Sequence, residues 1–196
     1  MYVVVSGAHG IGKSTICELV ARRIGGIYLT EAMDEIIPPP QFGPKSPEKF
    51  EGQLWHIRQL LIKEKQITDP SKIYIADRGW ADIYVYTKVL LKPESRDILN
   101  SLIEVLPKKT PDLHIVLHAD IDKIAERIKN RKRQNLVDWG EDDLDYLKKI
   151  NQSFIDFYHA FRDLKRIYLV DISGTLEESV QKVIKIIQEN QRLFGI

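Results

Sequence analysis

Gly7-Ala8-His9-Gly10-Ile11-Gly12-Lys13-Ser14 is the stretch that decides the fold of this 196-residue chain. It matches the spacing G-x-x-x-x-G-K followed by Ser or Thr, in which the curled backbone turns successive N–H groups toward phosphate oxygens. The apolar run Tyr2–Ser6 precedes it, and an amphipathic helical pattern follows it. The sequence therefore predicts a strand, a phosphate-binding turn and a helix.

Each part of this loop has a predicted role toward a nucleoside triphosphate. The ammonium of Lys13 should reach the β- and γ-phosphates, and the hydroxyl of Ser14 should ligate Mg²⁺. His9 is expected to contribute its backbone only, and the Thr15 hydroxyl is a secondary candidate for a phosphate contact. The predicted nucleotide-binding residues are Gly7, Ala8, His9, Gly10, Ile11, Gly12, Lys13, Ser14 and Thr15.

Along the rest of the chain, short apolar runs alternate with segments in which apolar residues recur at helical spacing. Strands are predicted at Tyr2–Ser6, Gly26–Thr30, Lys72–Asp77, Leu113–Leu117 and Arg166–Val170. Helical repeats follow Lys13 and run through Phe50–Leu61, Leu147–Phe161 and Leu176–Ile187. Because the strands are almost continuously apolar, they are expected to be covered on both faces of a mainly parallel sheet. The prediction is one α/β domain over residues 1–196.

Composition excludes several classes of protein. Lysine plus arginine (29) nearly balance aspartate plus glutamate (28), so the net charge of +1 argues against a protein that coats nucleic acid or anionic membrane. No apolar run has the length of a membrane span, and no leader-like segment precedes the first strand, so a cytoplasmic protein is expected. Cys17 is the single cysteine, and we expect it to be a small buried residue.

A proline-rich segment interrupts the alternation between the second strand and the second helix. Residues 37–47 contain Pro38, Pro39, Pro40, Pro44 and Pro47, which rule out a helix or a central strand there. The segment is either a plain connector or a rigid surface loop over a site. We favour the loop, because it leaves the sheet at the ends of the strands.

Two further patterns suggest charged groups around a phosphate. The third strand ends in Asp77, which could hold Mg²⁺ through water, and Arg78 follows it, facing phosphate or substrate. The alternative is a structural Asp–Arg pair.

Arg127 and Arg131 lie four residues apart on one helical face, where their guanidinium groups could stabilise transferring phosphates. The alternative there is a solvated face.

Together these motifs resemble the thymidylate kinase and deoxynucleoside kinase group of P-loop kinases over nearly the whole chain. The resemblance implies a three-layer αβα fold with five parallel strands in the order 2-3-1-4-5 and a LID near residues 132–142. It also implies ATP and Mg²⁺ as cofactors, a nucleoside or nucleotide as partner, and homodimers as an assembly to test. The segment Asp171–Thr175 looks like the adenine-side loop of that group.

The resemblance also implies roles in binding the acceptor. Glu31 aligns with an acidic residue that, in the nucleoside-kinase branch, acts on the sugar hydroxyl, and Gln53 aligns with a glutamine that reads the base edge in that branch. Arg78 belongs to the shared Asp-Arg motif and is expected to bind substrate. Three aromatic residues either enclose a base or belong to the core: Trp55, Trp80 and Tyr84. The segment 29–34 lacks the arginine and the Pro-Gly-Gly typical of thymidylate kinases, which argues against dTMP as acceptor.

Two classes of function follow. The first is an ATP-Mg²⁺-dependent phosphotransferase that moves the γ-phosphoryl group to a nucleoside monophosphate or a deoxynucleoside, with Lys13, Glu31, Asp77, Arg127 and Arg131 as catalytic residues. The alternative is a nucleotide-dependent ATPase or switch without a small-molecule acceptor. The sequence lacks the N-K-x-D of a guanine reader, and Arg78 stands where a motor ATPase usually carries a second acid.

Overall fold

The computed structural model describes residues 1–33, 36–130, 143–163 and 166–194, and the side chains of the last helix as far as Arg192. Arg131 and the predicted LID, residues 132–142, lie outside the described residues. In chain order the elements are β1 (Tyr2–Ser6), α1 (Lys13–Ile24), β2 (Ile27–Leu29), α2 (Lys49–Lys65), β3 (Tyr74–Asp77), α3 (Trp80–Leu90), α4 (Pro93–Val105), β4 (Leu113–His118), α5 (Ile121–Asn130), α6 (Leu144–Phe161), β5 (Ile167–Asp171) and α7 (Leu176–Phe194).

The five strands form one parallel sheet in the order β2-β3-β1-β4-β5, which confirms the predicted topology. Central β1 pairs with β3 and β4, so that Val5 lies opposite both Asp77 and Ile115. Because all strands run the same way, the loops after β1, β2 and β3 meet at one edge of the sheet. The phosphate loop, Glu31 and Arg78 all lie on these loops.

Helices cover both faces of the sheet. On one face, Val3 and Val5 of β1 pack in a core with α1, α5 and α7, to which Cys17 contributes a fully buried side chain as predicted. On the other face, Val116 of β4 packs with residues of α3 and α6, including Phe154. The sheet thus buries apolar surface on both faces, the α/β arrangement that continuous apolar strands indicated.

The residues between Trp80 and Val105, for which no element was predicted, form α3 and α4. In α3 the buried positions, among them Ala81, Ile83, Val85 and Tyr86, extend around much of the helix, which blurs the helical period. Residues 36–48 contain neither helix nor strand, as their prolines predicted. No helix in the described ranges combines the length and apolarity that crossing a membrane requires.

Candidate active site

The phosphate loop has the conformation that its glycines predict. Gly10 and Gly12 have φ values of 68° and 104°, in the left-handed region that favours glycine. A Cβ on Gly10 would stand 2.2 Å from Cγ1 of Ile128, so a larger residue also lacks space there. The first turn of α1 begins directly afterwards at Lys13, so its free N–H groups point toward the loop.

Lys13 is folded over its own loop. Its side chain is buried, and Nζ donates to the carbonyl oxygens of Gly7 at 3.0 Å and Ala8 at 2.8 Å. Burial and the nearby Arg78 lower the pKa of Lys13 to about 8, although the carboxylates of Asp77 and Glu31 oppose that shift. An anionic ligand at the loop would favour the charged ammonium, which makes this lysine sensitive to bound phosphate.

Asp77 is fully buried at the end of β3. Its Oδ2 accepts a hydrogen bond from the Tyr28 hydroxyl at 3.5 Å, whereas Oδ1 has no hydrogen-bond partner among the described residues. Burial and Glu31 raise the pKa of Asp77, while Lys13, Arg78 and the nearby Ser14 hydroxyl oppose the rise. A buried carboxylate oxygen without a partner, next to a serine hydroxyl, is suited to a hard cation such as Mg²⁺.

The part of the chain that the structure describes contains no group of three or more His, Cys, Asp or Glu side chains able to hold a metal. The predicted ligands Ser14 and Asp77 could therefore supply only part of the coordination of a metal ion. Such a partial set suits Mg²⁺, whose coordination sphere usually includes several waters and substrate phosphates rather than protein ligands alone.

Arg78, directly after β3, has contacts on several sides. Its side chain is buried, and Nε donates to Oε1 of Glu31 at 2.5 Å while Nη1 donates to Oδ1 of Asp82 at 3.2 Å. The guanidinium also lies 5.2 Å from the centre of the Tyr86 ring. Two carboxylates and an aromatic face thus hold the guanidinium in one place.

Glu31 is ionised in this arrangement. Burial alone would raise its pKa, but the positive charges of Arg78 and Lys13 hold the pKa of Glu31 well below its usual range. His56 has a pKa lowered to about 4, chiefly by burial, so its ring is neutral near pH 7. The carboxylate of Glu31 can therefore accept hydrogen bonds.

These groups line a cavity beside the phosphate loop, which we call the acceptor cavity. The predicted substrate residues Glu31, Gln53 and Arg78 all line it, together with Asp82 and Lys63. Its other walls are Phe42, His56, Leu60, Gly79, Ile83 and Tyr86. Only about 10 Å³ of the cavity is wide enough for water in this structure, so a nucleoside can enter only if the walls separate.

Two atoms of the acceptor cavity are buried without a partner among the described residues: Nε2 of Gln53 and the hydroxyl of Tyr86. Oε1 of Gln53 accepts a hydrogen bond from Oγ1 of Thr87 at 3.3 Å. Buried polar atoms normally have partners, so unpartnered ones in a cavity are typical of groups that bind a ligand.

Sequence patterns did not identify the aromatic wall of this cavity. Phe42, from the proline-rich segment, is buried against it, and Gly52 of α2 makes room, since a Cβ there would stand 2.7 Å from Cδ2 of Phe42. Trp55, Trp80 and Tyr84 do not line it. Trp55 donates to the Ile37 carbonyl, Trp80 donates to Glu64, and Tyr84 packs on Phe157 and Phe161. The signal that could have pointed to Phe42 is the rigidity of its segment.

The His9 side chain has a structural role that was not expected. Its ring lies 4.8 Å from that of Tyr86 and 5.8 Å from that of Phe42, and Nε2 shares a hydrogen bond with the Tyr146 hydroxyl at 3.2 Å. Burial, Arg78 and Lys13 lower the pKa of His9 well below its usual value, so the ring is neutral. His9 thus joins the phosphate loop to the acceptor cavity and to the first turn of α6.

Arg127 lies on the other side of the phosphate loop. It donates to the carbonyl oxygens of Ile11 at 2.9 Å and Ile172 at 2.6 Å, which ties the phosphate loop to the loop after β5. With Gly12, Thr15 and Gly174 it lines a groove of about 360 Å³. Among the described residues, both acceptors of its guanidinium are backbone carbonyls, and its predicted contact with transferring phosphates stays a prediction.

Known proteins resemble this chain over nearly its whole length. A family model described as deoxynucleoside kinase matches residues 3–194. The chain is 24% identical to a thymidylate kinase of Rickettsia bellii, with 94% of this chain and 93% of that protein covered. It is 23% identical to a deoxyadenosine/deoxycytidine kinase of Bacillus subtilis, with 97% and 94% covered.

Solved structures share the fold. A deoxyadenosine kinase from M. mycoides, with the products dCMP and a flexible dCDP bound, superposes with a TM-score of 0.80 at 19% identity and covers 96% of this chain and 99% of its own. A thymidylate kinase from Candida albicans gives a TM-score of 0.70 at 17% identity, covering 97% and 92%. At these identities the likeness shows a common fold.

Proposed function

The chain belongs to the deoxynucleoside kinase family and is a nucleoside or nucleotide kinase, and from this premise we propose that it phosphorylates the 5′-hydroxyl of a nucleoside with ATP. The observation that carries the choice of acceptor is the guanidinium of Arg78, which is bound by the carboxylates of both Glu31 and Asp82. The choice between nucleoside and monophosphate follows from the charge of this group.

A nucleoside monophosphate would need an uncommitted cation in the acceptor cavity. Arg78 is neutralised by its two carboxylates, and Lys63 donates to backbone carbonyls. A phosphate dianion in this cavity would face Glu31 and Asp82, while both cations of the described lining, Arg78 and Lys63, already have partners. A sugar hydroxyl, by contrast, can donate its hydrogen to an ionised carboxylate.

Glu31 is proposed as the general base. The guanidinium of Arg78 keeps Glu31 ionised but also makes it a weak base. We therefore propose that it takes the hydroxyl proton late, once the new P–O bond is forming and the bond between the γ-phosphorus and its bridging oxygen is breaking. Gln53 and Tyr86 are proposed to bind the base edge and the sugar through their unpartnered atoms. Opening of the segment that carries Phe42 would admit the nucleoside.

The donor phosphates are proposed to lie on the N–H groups of residues 7–14, with the ammonium of Lys13 moved from its carbonyl partners onto phosphate oxygens. Ser14 and Asp77 would hold Mg²⁺, which, when bound, would neutralise charge on the β- and γ-phosphates. Arg127 and Arg131 remain proposed cations near the transferring group. The groove between the phosphate loop and the loop after β5 is the proposed place of adenine.

A panel of acceptors tests this proposal. The purified protein is incubated with ATP and Mg²⁺ and, one at a time, with deoxynucleosides, ribonucleosides and their monophosphates, and ADP and phosphorylated products are measured. We expect one or more nucleosides to be converted to 5′-monophosphates, with one ADP formed for each. ADP formation without an acceptor would instead support the ATPase or switch function.

A second candidate acceptor is a monophosphate, favoured by the match to a thymidylate kinase over 94% of the chain. That function would require the pair between Arg78 and Glu31 to open so that the guanidinium could bind phosphate. Consumption of monophosphates alone in the same panel would establish it and exclude the nucleoside acceptor.

A further inference from the structure

Lys63 is a fully buried lysine of α2 whose ammonium donates to two consecutive backbone carbonyls, those of Asp77 and Arg78, the latter at 3.4 Å. An ammonium removed from water is tolerated only where hydrogen bonds and opposite charges replace its hydration. The carboxylates of Asp77, Glu31 and Asp82 supply that charge and oppose the fall in the pKa of Lys63 that burial causes.

The backbone that receives these bonds has an unusual conformation. Arg78 has a φ of 68°, and it is the single described residue other than glycine in the left-handed region. A side chain at Cβ is strained there, and such a conformation persists only where surrounding contacts hold it. The N–H of Arg78 donates to the Val5 carbonyl at 2.9 Å. Lys63 donates to the carbonyl of Asp77, which precedes the Cα of Arg78, and to the carbonyl of Arg78, which follows it.

This turn directs neighbouring side chains to two different parts of the site. The carboxylate of Asp77 lies beside Tyr28 and Ser14 on the phosphate side, and the guanidinium of Arg78 lies between Glu31 and Asp82 on the acceptor side. We propose that Lys63 is a positioning residue: its ammonium holds the left-handed turn at Arg78, so that Asp77 faces the metal and Arg78 faces Glu31.

The proposal rests on the proposed function and adds a residue that acts through Asp77 and Arg78 rather than on the reacting atoms. Without the ammonium, the carbonyls of Asp77 and Arg78 lose their shared donor, and the turn can relax toward the right-handed or extended region. Both side chains would then shift, whereas the phosphate loop, held by its own glycines, would keep its affinity for ATP.

The test compares Lys63→Met, which keeps the stem and removes the donors, with Lys65→Met, which removes an exposed charge from the same helix turn. ATP binding is measured in EDTA and then as a function of Mg²⁺, and initial rates are measured at saturating ATP. For Lys63→Met we expect ATP binding in EDTA within twofold of the parent. We also expect at least a fivefold higher Mg²⁺ concentration for half-saturation and at least a tenfold lower kcat. Lys65→Met should match the parent, and Lys63→Arg, which retains several donors, should recover part of the loss.

A folded Lys63→Met protein with the Mg²⁺ dependence of the parent would overturn the proposal. If Lys63→Met does not fold, Lys63→Gln takes its place, with one amide donor and an intermediate Mg²⁺ dependence expected. Failure of both to fold would assign Lys63 to stability alone and also overturn the proposal. The Mg²⁺ titration of ATP binding needs no acceptor, so an error in the proposed substrate leaves this test intact.

Discussion

Nε of Arg78 lies 2.5 Å from Oε1 of Glu31, an ion pair that joins the end of β3 to the loop after β2. The guanidinium is also bound to Asp82, so the acceptor cavity presents a carboxylate that is both ionised and held in position. The proposal of a hydroxyl acceptor rather than a phosphate acceptor rests on this pair. It also makes Glu31 the first residue to test.

Replacing Glu31 with Gln should lower kcat by about 10²–10⁴ if the carboxylate is the general base, because the amide cannot take the hydroxyl proton. Initial rates with the preferred nucleoside measure the loss. Glu51→Gln, an exposed carboxylate at the start of α2, is the matched control and should not change kcat. A loss smaller than tenfold would remove the role of base from Glu31.

Replacing Lys13 with Ala should leave the fold intact and lower phosphoryl transfer by roughly 10³ or more, since no other group of the loop supplies a mobile cation to the β- and γ-phosphates. Circular dichroism and steady-state rates check both parts of this expectation. Lys88→Ala, an exposed lysine of α3, is the control for loss of charge. Turnover close to the parent rate would show that Lys13 has been wrongly assigned.

The low pKa of Lys13 predicts that ATP binding takes up protons in alkaline solution. In the free protein the ammonium loses its proton as the pH rises through about 8, and a bound triphosphate shifts that pKa upward because it favours the charged form. Affinity for ATP should therefore fall above this pH. Titration calorimetry near pH 8.5 in two buffers of different ionisation enthalpy measures the uptake. Lys13→Met should abolish it, and uptake that persists in this variant would place the titrating group elsewhere.

Replacing Gly52 with Ala should weaken binding of the acceptor. The new Cβ would stand 2.7 Å from the ring of Phe42, and the ring must move off the wall of the acceptor cavity. We expect the KM for the nucleoside to rise about tenfold, which corresponds to a loss of roughly 1.4 kcal/mol of binding free energy. The KM for ATP should not change.

The double variant Gly52→Ala with Phe42→Leu serves as the control for crowding. The smaller side chain accommodates the Cβ, so the two changes together should be less harmful than the sum of the single changes. Strict additivity would mean that the Cβ of residue 52 does not act through Phe42.

Sequence patterns did not predict which aromatic residues line the acceptor cavity. Trp55, Trp80 and Tyr84 had the chemistry to enclose a base, yet the cavity is lined by Phe42 and Tyr86. Residue type and helical spacing indicate which side chains are apolar, but not which of two buried faces of a helix points toward a site. For α3, whose buried residues extend around much of the helix, this choice depends on its packing against α2 and α6.

The sequence by itself determined the phosphate loop, because its glycines, its lysine and the following helix act within a few residues of one another. The strands were also predicted closely, since each is a local apolar run, and the strand order followed from the family resemblance. Only the tertiary structure decided the pair of Arg78 with Glu31, 47 residues earlier, and the buried donor from Lys63. Such partners meet because parallel strands end at one edge of the sheet. The packing of the whole sheet and its helices decides which loops become neighbours at that edge.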